Sequence, residues 1–214
     1  MFSERHLEML SYVNSRRPGL APWQGLQDIT AQVAYQFVKG FTARTLHGTI
    51  YNNDGSPVIS FARSESGWGT DGFIFAASSA FEVYIQIEKG AFSVMFNREW
   101  LGHINASGQM LNLQGIGIGQ AMHPSTNSFS ITGVVRFRDS KTHFPFYINN
   151  RVIASIWVSP DFSEQFDTPF TVNENNIGQQ IIQLYEKPTP EEEKWLIVFG
   201  VMEVAFYGHS MMST

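Results

Sequence analysis

Phe81-Glu82-Val83-Tyr84-Ile85-Gln86-Ile87-Glu88-Lys89-Gly90-Ala91-Phe92-Ser93-Val94-Met95-Phe96-Asn97 reads as a β-hairpin. Phe81, Val83, Ile85 and Ile87 alternate with Glu82, Tyr84 and Gln86 at the strand period of two, which predicts one buried face and one outward face. Glu88-Lys89-Gly90 is a short polar turn whose glycine accepts positive φ. Phe92, Val94 and Phe96 carry the alternation back along the return strand. Just upstream stand Gly67-Trp68-Gly69-Thr70-Asp71 and Phe73-Ile74-Phe75. An indole between two glycines is a core plug, a rim side chain without a ligand, or a stacking surface.

Strand patterns continue on both sides of this stretch. Val33-Ala34-Tyr35-Gln36-Phe37 and Phe41-Thr42-Ala43-Arg44-Thr45-Leu46-His47 precede it. Thr49-Ile50-Tyr51 and Val58-Ile59-Ser60-Phe61 flank a loop with an Asp54-Gly55 pair, a hairpin signal. Downstream, residues 101–104 and 110–113 flank the turn Asn105-Ala106-Ser107-Gly108. Strands broken by turns at this spacing predict an all-β protein built as an antiparallel β-sandwich of jelly-roll type. Composition agrees: charged residues are 15%, hydrophobic residues 43%, and the chain holds 18 phenylalanines and 18 glycines.

Trp68-Gly69, Asp71, Phe73-Ile74-Phe75, Phe81-Glu82 and Phe92-Ser93-Val94-Met95-Phe96-Asn97 follow the order of the galectin core, and the chain resembles the galectins at these residues. The resemblance implies a galactoside-type lectin with Trp68 as the stacking platform, His47 as the first polar contact and Asp71 in the place of the family glutamate. It also implies a degenerate sugar site. Thr49, Tyr51 and Ala62 stand where the family has polar donors, and the Trp68–Phe73 interval is too short to hold its arginine. The expected partner is therefore a glycan of altered specificity, or a protein.

Three organisational units are expected: an N-terminal arm or short helix over 1–19, a galectin-like β-sandwich over 20–124, and a second, truncated galectin-like unit over 125–214. In the arm, Ser3 is the expected cap, with Leu7, Leu10 and Val13 on one side of a helix over 3–15. The polar break at 123–128 separates the two larger units. In the second, residues 153–162 look like the galectin strand with Trp157, Ser159 and Asp161 at its polar positions, and Asn173 matches the asparagine of the family's next strand. Ile177 occupies the platform position, so this half has no ring for a sugar. Gly200-Val201-Met202-Glu203-Val204-Ala205-Phe206 repeats the spacing of Gly90–Phe96, a sign of duplication.

The C-terminus admits two readings. Thr189-Pro190-Glu191-Glu192 is a capping box with proline at the first helical position. Residues 195–207 are nonetheless aromatic, β-branched and interrupted by Gly200, which favours a one-turn helix running into a hairpin. The rival is one apolar helix buried on all sides. A C-terminal helix of that kind inside a β-barrel is what tubby-like and scramblase-like domains have, and the function that goes with it is lipid binding. A structural protein without a ligand is the third reading.

Catalysis is not expected. The six histidines fall in no metal spacing, no Gly-x-Ser-x-Gly elbow is present, and the absence of cysteine removes thiolate chemistry and disulfides. Gly115-Ile116-Gly117-Ile118-Gly119 lacks the later glycine of a dinucleotide loop and reads as a strand approached closely by a neighbour. No cofactor is implied, and a net charge of −5 argues against nucleic acid. The sequence shows no secretory signal and no transmembrane segment, which suggests a cytoplasmic protein or one exported by a leaderless route. If the second unit stops at the strand around Val204 and Phe206, an open edge near 195–207 predicts a homo-oligomer.

Overall fold

A computed structural model of the 214-residue chain describes residues 4–39, 43–66, 71–88, 91–105, 108–121, 143–157, 171–172 and 179–205. The alternating segments become strands β1 (Val33–Lys39), β2 (Ala43–Tyr51), β3 (Pro57–Ser66), β4 (Asp71–Ser78), β5 (Glu82–Glu88), β6 (Ala91–Phe96) and β7 (Glu99–Ile104). They continue as β8 (Gln109–Leu111), β9 (Gly117–Ala121), β10 (His143–Ile148), β11 (Arg151–Trp157), β12 (Thr171–Val172) and β13 (Ile182–Leu184). Helix α1 (Glu4–Arg16) precedes them and helix α2 (Pro190–Ala205) follows them.

The chain is all-β in class, with antiparallel pairing throughout. A sandwich needs two facing sheets, whereas the described strands form one, in the order β12-β1-β2-β3-β4-β5-β6-β7-β8-β9-β10-β11-β13. The layer that covers its inner face is α2. The sheet also runs through the expected division near residue 124, because Ala121 pairs with Phe146 and Ala34 with Val172. Its two ends are tied together. Thr30 bridges Gln180, the Ala31 N–H donates to Gln179 O at 2.8 Å, and the Ile181 N–H donates to Ile29 O at 3.0 Å. The Trp157 N–H donates to Ile181 O at 2.7 Å, which joins the same segment to β11.

The expected C-terminal hairpin is replaced by a continuous helix. Its start is the capping box: the Glu192 N–H donates to Thr189 Oγ1 at 3.3 Å, and the Thr189 N–H donates to Glu192 Oε2 at 2.8 Å. From Trp195 to Ala205 every residue is buried. A helix apolar on all sides is stable only where all sides are covered. Phe146 packs edge-on against Phe199, and Ile182 and Ile29 lie against Gly200. The Tyr35 hydroxyl donates to Val204 O at 3.1 Å. These partners come from β1, β10, β13 and the segment before β1, so the sheet curls around the helix. Val204 is therefore inside, not on an open edge, and the reason for expecting association through 195–207 does not hold; Phe206 lies outside the described residues. Gly200–Ala205 is helical while Ala91–Phe96 is extended, so matched spacing there does not mean matched structure.

Strands β5 and β6 have the expected faces, with Val83, Ile85, Phe92 and Val94 in the core, and the expected turn residues Lys89 and Gly90 lie outside the described residues. Of the segments 41–47 and 49–51, read as separate strands, residues 43–47 and 49–51 belong to one, β2, and Phe41 and Thr42 lie outside the described residues. Gly48 lies within it because a Cβ there would meet the Phe61 ring at 2.1 Å. Gly119 is in β9, where a Cβ would lie 2.2 Å from Tyr147 O, the close approach expected of that glycine run.

Two substitutions test the helix-in-sheet packing by urea unfolding. Thr189→Ala removes the cap and is expected to cost about 1 kcal/mol. Gly102→Ala is expected to cost about 3 kcal/mol or more. Gly102 has φ of +151°, and its Cβ would lie 2.2 Å from Leu111 O and 3.1 Å from the Trp195 ring. Equal, small effects from both would contradict the packing.

Candidate functional site

Strand alternation puts His47 on the outward face of β2. Its partners in register, Ala62 and then Phe75 and Tyr84, continue that face across β3, β4 and β5. The face is too apolar to stand open, and α1 covers it. Met9 and Val13 form a second buried cluster with Ala62, Phe73, Phe75 and Ala77. The helix therefore docks through the i, i+3, i+7 series His6, Met9 and Val13, joined by Tyr12. Leu7, expected on the docked side, is 56% exposed.

Aromatic stacking fixes the helix at two points. The His6 ring lies 3.6 Å from the Phe73 ring at 10°, and its Nε2 is 3.1 Å from the Tyr84 hydroxyl. The Tyr12 ring lies 3.8 Å from that of His47 at 17°, and the Arg16 guanidinium lies over the Tyr12 ring at 5.4 Å from its centroid. Just past the helix, Arg17 Nη1 donates to Glu82 Oε1 at 2.5 Å, and Arg98 Nε donates to Glu82 Oε2 at 3.2 Å.

These contacts bear directly on the residues expected to hold a sugar. His47 has one ring face against Tyr12 and is half-buried, so that face is not open to stack on or contact a sugar. Asp71, the first residue of β4, is exposed and shares the outward face. His47 is level with Phe75 in register, four positions along β4 from Asp71, or about 13 Å of strand. Trp68 lies outside the described residues, as do Ser159, Asp161, Asn173 and Ile177. His47 and Asp71 are thus not brought together as one contact set.

A buried charge that sequence reasoning missed sits inside the sheet. Arg63 of β3 is 3% exposed and donates from Nη1 to Ala205 O, the last carbonyl of α2, at 3.0 Å. A cation there offsets the negative end of the helix dipole. Burial lowers its pKa to about 9, with the nearby Tyr35 acting in the opposite sense, so the guanidinium keeps its charge at neutral pH. At the other end of α2, Arg151 Nη2 donates to Glu192 Oε2 at 2.7 Å, and Asn149 donates to Glu192 Oε1 at 3.1 Å. Burial alone would raise the Glu192 pKa, but the bonds from Thr189, Asn149 and Arg151 bring it below the usual value. Both groups act on the helix.

Among the described residues no group of three or more metal-ligating side chains is assembled, and no helix is long and apolar enough to cross a membrane. No protein-family model, curated protein or solved structure matches the chain.

The docked helix carries a pH dependence of defined sign. Burial lowers the pKa of His6, and burial with the nearby Arg16 charge lowers that of His47, so the docked state favours the neutral rings. For a base with a depressed pKa, the contribution to docking is complete above its ordinary value near 6.5 and is lost as pH falls through it. Hydrogen-exchange protection factors over residues 4–16 are expected to drop between pH 7.5 and pH 5.5, and to drop less in His6→Gln/His47→Gln. Protection over 4–16 that stays constant in the wild type would refute this coupling.

Proposed function

We propose that this chain is a non-catalytic binding module of the tubby-like and scramblase-like kind, acting at a lipid surface. The observation that supports the reading is α2, an apolar C-terminal helix enclosed by one antiparallel sheet. That is the arrangement named above for those domains. The step from architecture to lipid is an analogy between folds, since one fold hosts many functions. The interior is filled by α2, which leaves the outer face and the ends of the sheet to meet a ligand. A glycan-binding role has less support, because His47 is stacked beneath Tyr12.

Sedimentation with phosphatidylcholine vesicles, with and without phosphatidylserine, tests the proposal beside passage over lactosyl resin. The protein is expected to sediment with vesicles and to flow through the resin. Retention on the resin with no vesicle binding would overturn it in favour of the lectin reading.

A further inference from the structure

The antiparallel meander sends every second connection to the same end of the sheet. The turns after β2, β4, β6, β8 and β10 share the end at which α2 begins, as the Asn149–Glu192 contact requires. Of the seven large apolar side chains described as exposed, six lie at this end: Trp100, Leu113, Ile116, Tyr147, Leu184 and Tyr185. Single exposed apolar residues need no explanation, but a cluster at one end does.

The most prominent member is the β8–β9 turn. Asn112 staples it: the Gln114 and Ile116 N–H groups donate to Asn112 Oδ1 at 3.0 and 2.9 Å, and the Gly115 N–H donates to Asn112 O at 2.9 Å. Gly115 supplies the φ of +75°. The β2–β3 turn at the same end is built identically. Its Asp54 and Ser56 N–H groups donate to Asn52 Oδ1 at 3.1 and 2.9 Å, and Gly55 has the same φ of +75°. That turn carries Asn53, Asp54 and Ser56, so this geometry is made equally well with polar residues. Leu113 at 55% exposure and Ile116 at 61% are therefore not demanded by the turn.

We propose that this rim, with Leu113 and Ile116 at its tip and Trp100 and Tyr147 beside them, is the surface that enters a lipid–water interface. This rests on the lipid-surface reading above and assigns it a place. The tip is a stapled hairpin turn and projects its side chains, which suits insertion between lipid headgroups better than enclosing a peptide. Trp100 and Tyr147 are 49% and 46% exposed, and rings with one apolar and one polar edge favour headgroup depth. Arg98 is paired with Glu82, Arg151 with Glu186 and Glu192, and Lys194 with Glu191, and the exposed Glu99 beside Trp100 adds a negative charge, so the rim carries no cationic cluster. Insertion is accordingly apolar in origin, with little preference for anionic lipid and little dependence on salt.

The test compares full-length wild type with Leu113→Asp/Ile116→Asp on phosphatidylcholine vesicles, after circular dichroism and thermal unfolding establish that the variant is folded. Loss of vesicle partitioning by roughly tenfold or more is expected. Leu113→Phe is expected to retain binding. Brominated lipid is expected to quench wild-type fluorescence and to quench Trp100→Phe less. Wild-type binding that the double substitution leaves unchanged would overturn the rim and spare the lipid reading. Absence of wild-type binding would remove both. A wild-type dimer made monomeric by the double substitution, with no bromine quenching, would assign the rim to a second copy of the chain and overturn the proposal.

Discussion

A helix with apolar side chains on every side has no face to turn to water, and in this protein that constraint shapes everything around α2. Trp195, Leu196, Ile197, Val198, Phe199, Val201 and Met202 are all buried, and each fully buried large side chain contributes about 1.5–3 kcal/mol. No flat sheet covers so many directions. The sheet must curl until the segment before β1 meets the segment before β13, which the Thr30–Gln180 bridge and its flanking hydrogen bonds achieve. The helix starts at the surface and ends inside the protein, and both ends have partners. Thr189 and Glu192 supply them at the start, and Arg63 supplies one at the last carbonyl.

With the inner face given to α2, the outward face of β2–β5 becomes a separate problem with a separate solution. Phe73, Phe75 and Tyr84 would form an apolar patch, and α1 covers it through Met9, Val13 and two ring stacks. The two helices differ in what holds them. The α2 helix is held by its own apolar surface inside the main core. The α1 helix is held by a small cluster and by two stacked histidines whose neutral forms burial favours.

Much of the fold could be read directly because strand pairing writes itself into the sequence at a period of two. Strands β5 and β6 show this, as do β2 and β3 on either side of the stapled turn at 52–56. The capping box likewise marked the start of α2. What followed was obscure for a physical reason: a helix buried on all sides has no polar stripe, so valine, phenylalanine and glycine are chosen for packing and imitate a strand. In α1 the docked face was displaced because His6 and Tyr12 do the work of apolar residues only once their rings are stacked on Phe73 and His47. Of the expected sugar contacts, His47 is found under α1 and Asp71 stands apart from it. The buried Arg63 gave no local sign, since its partner is a carbonyl 142 positions away.

The central claim is that α2 and the sheet are one cooperative unit. Native-state hydrogen exchange as a function of denaturant tests it most directly. Amides of residues 197–204 are predicted to exchange only through global unfolding, with the same free energy and denaturant dependence as the central strands β3 and β4. Exchange of these amides by a local opening, at a free energy well below that of β3 and β4, would contradict the account.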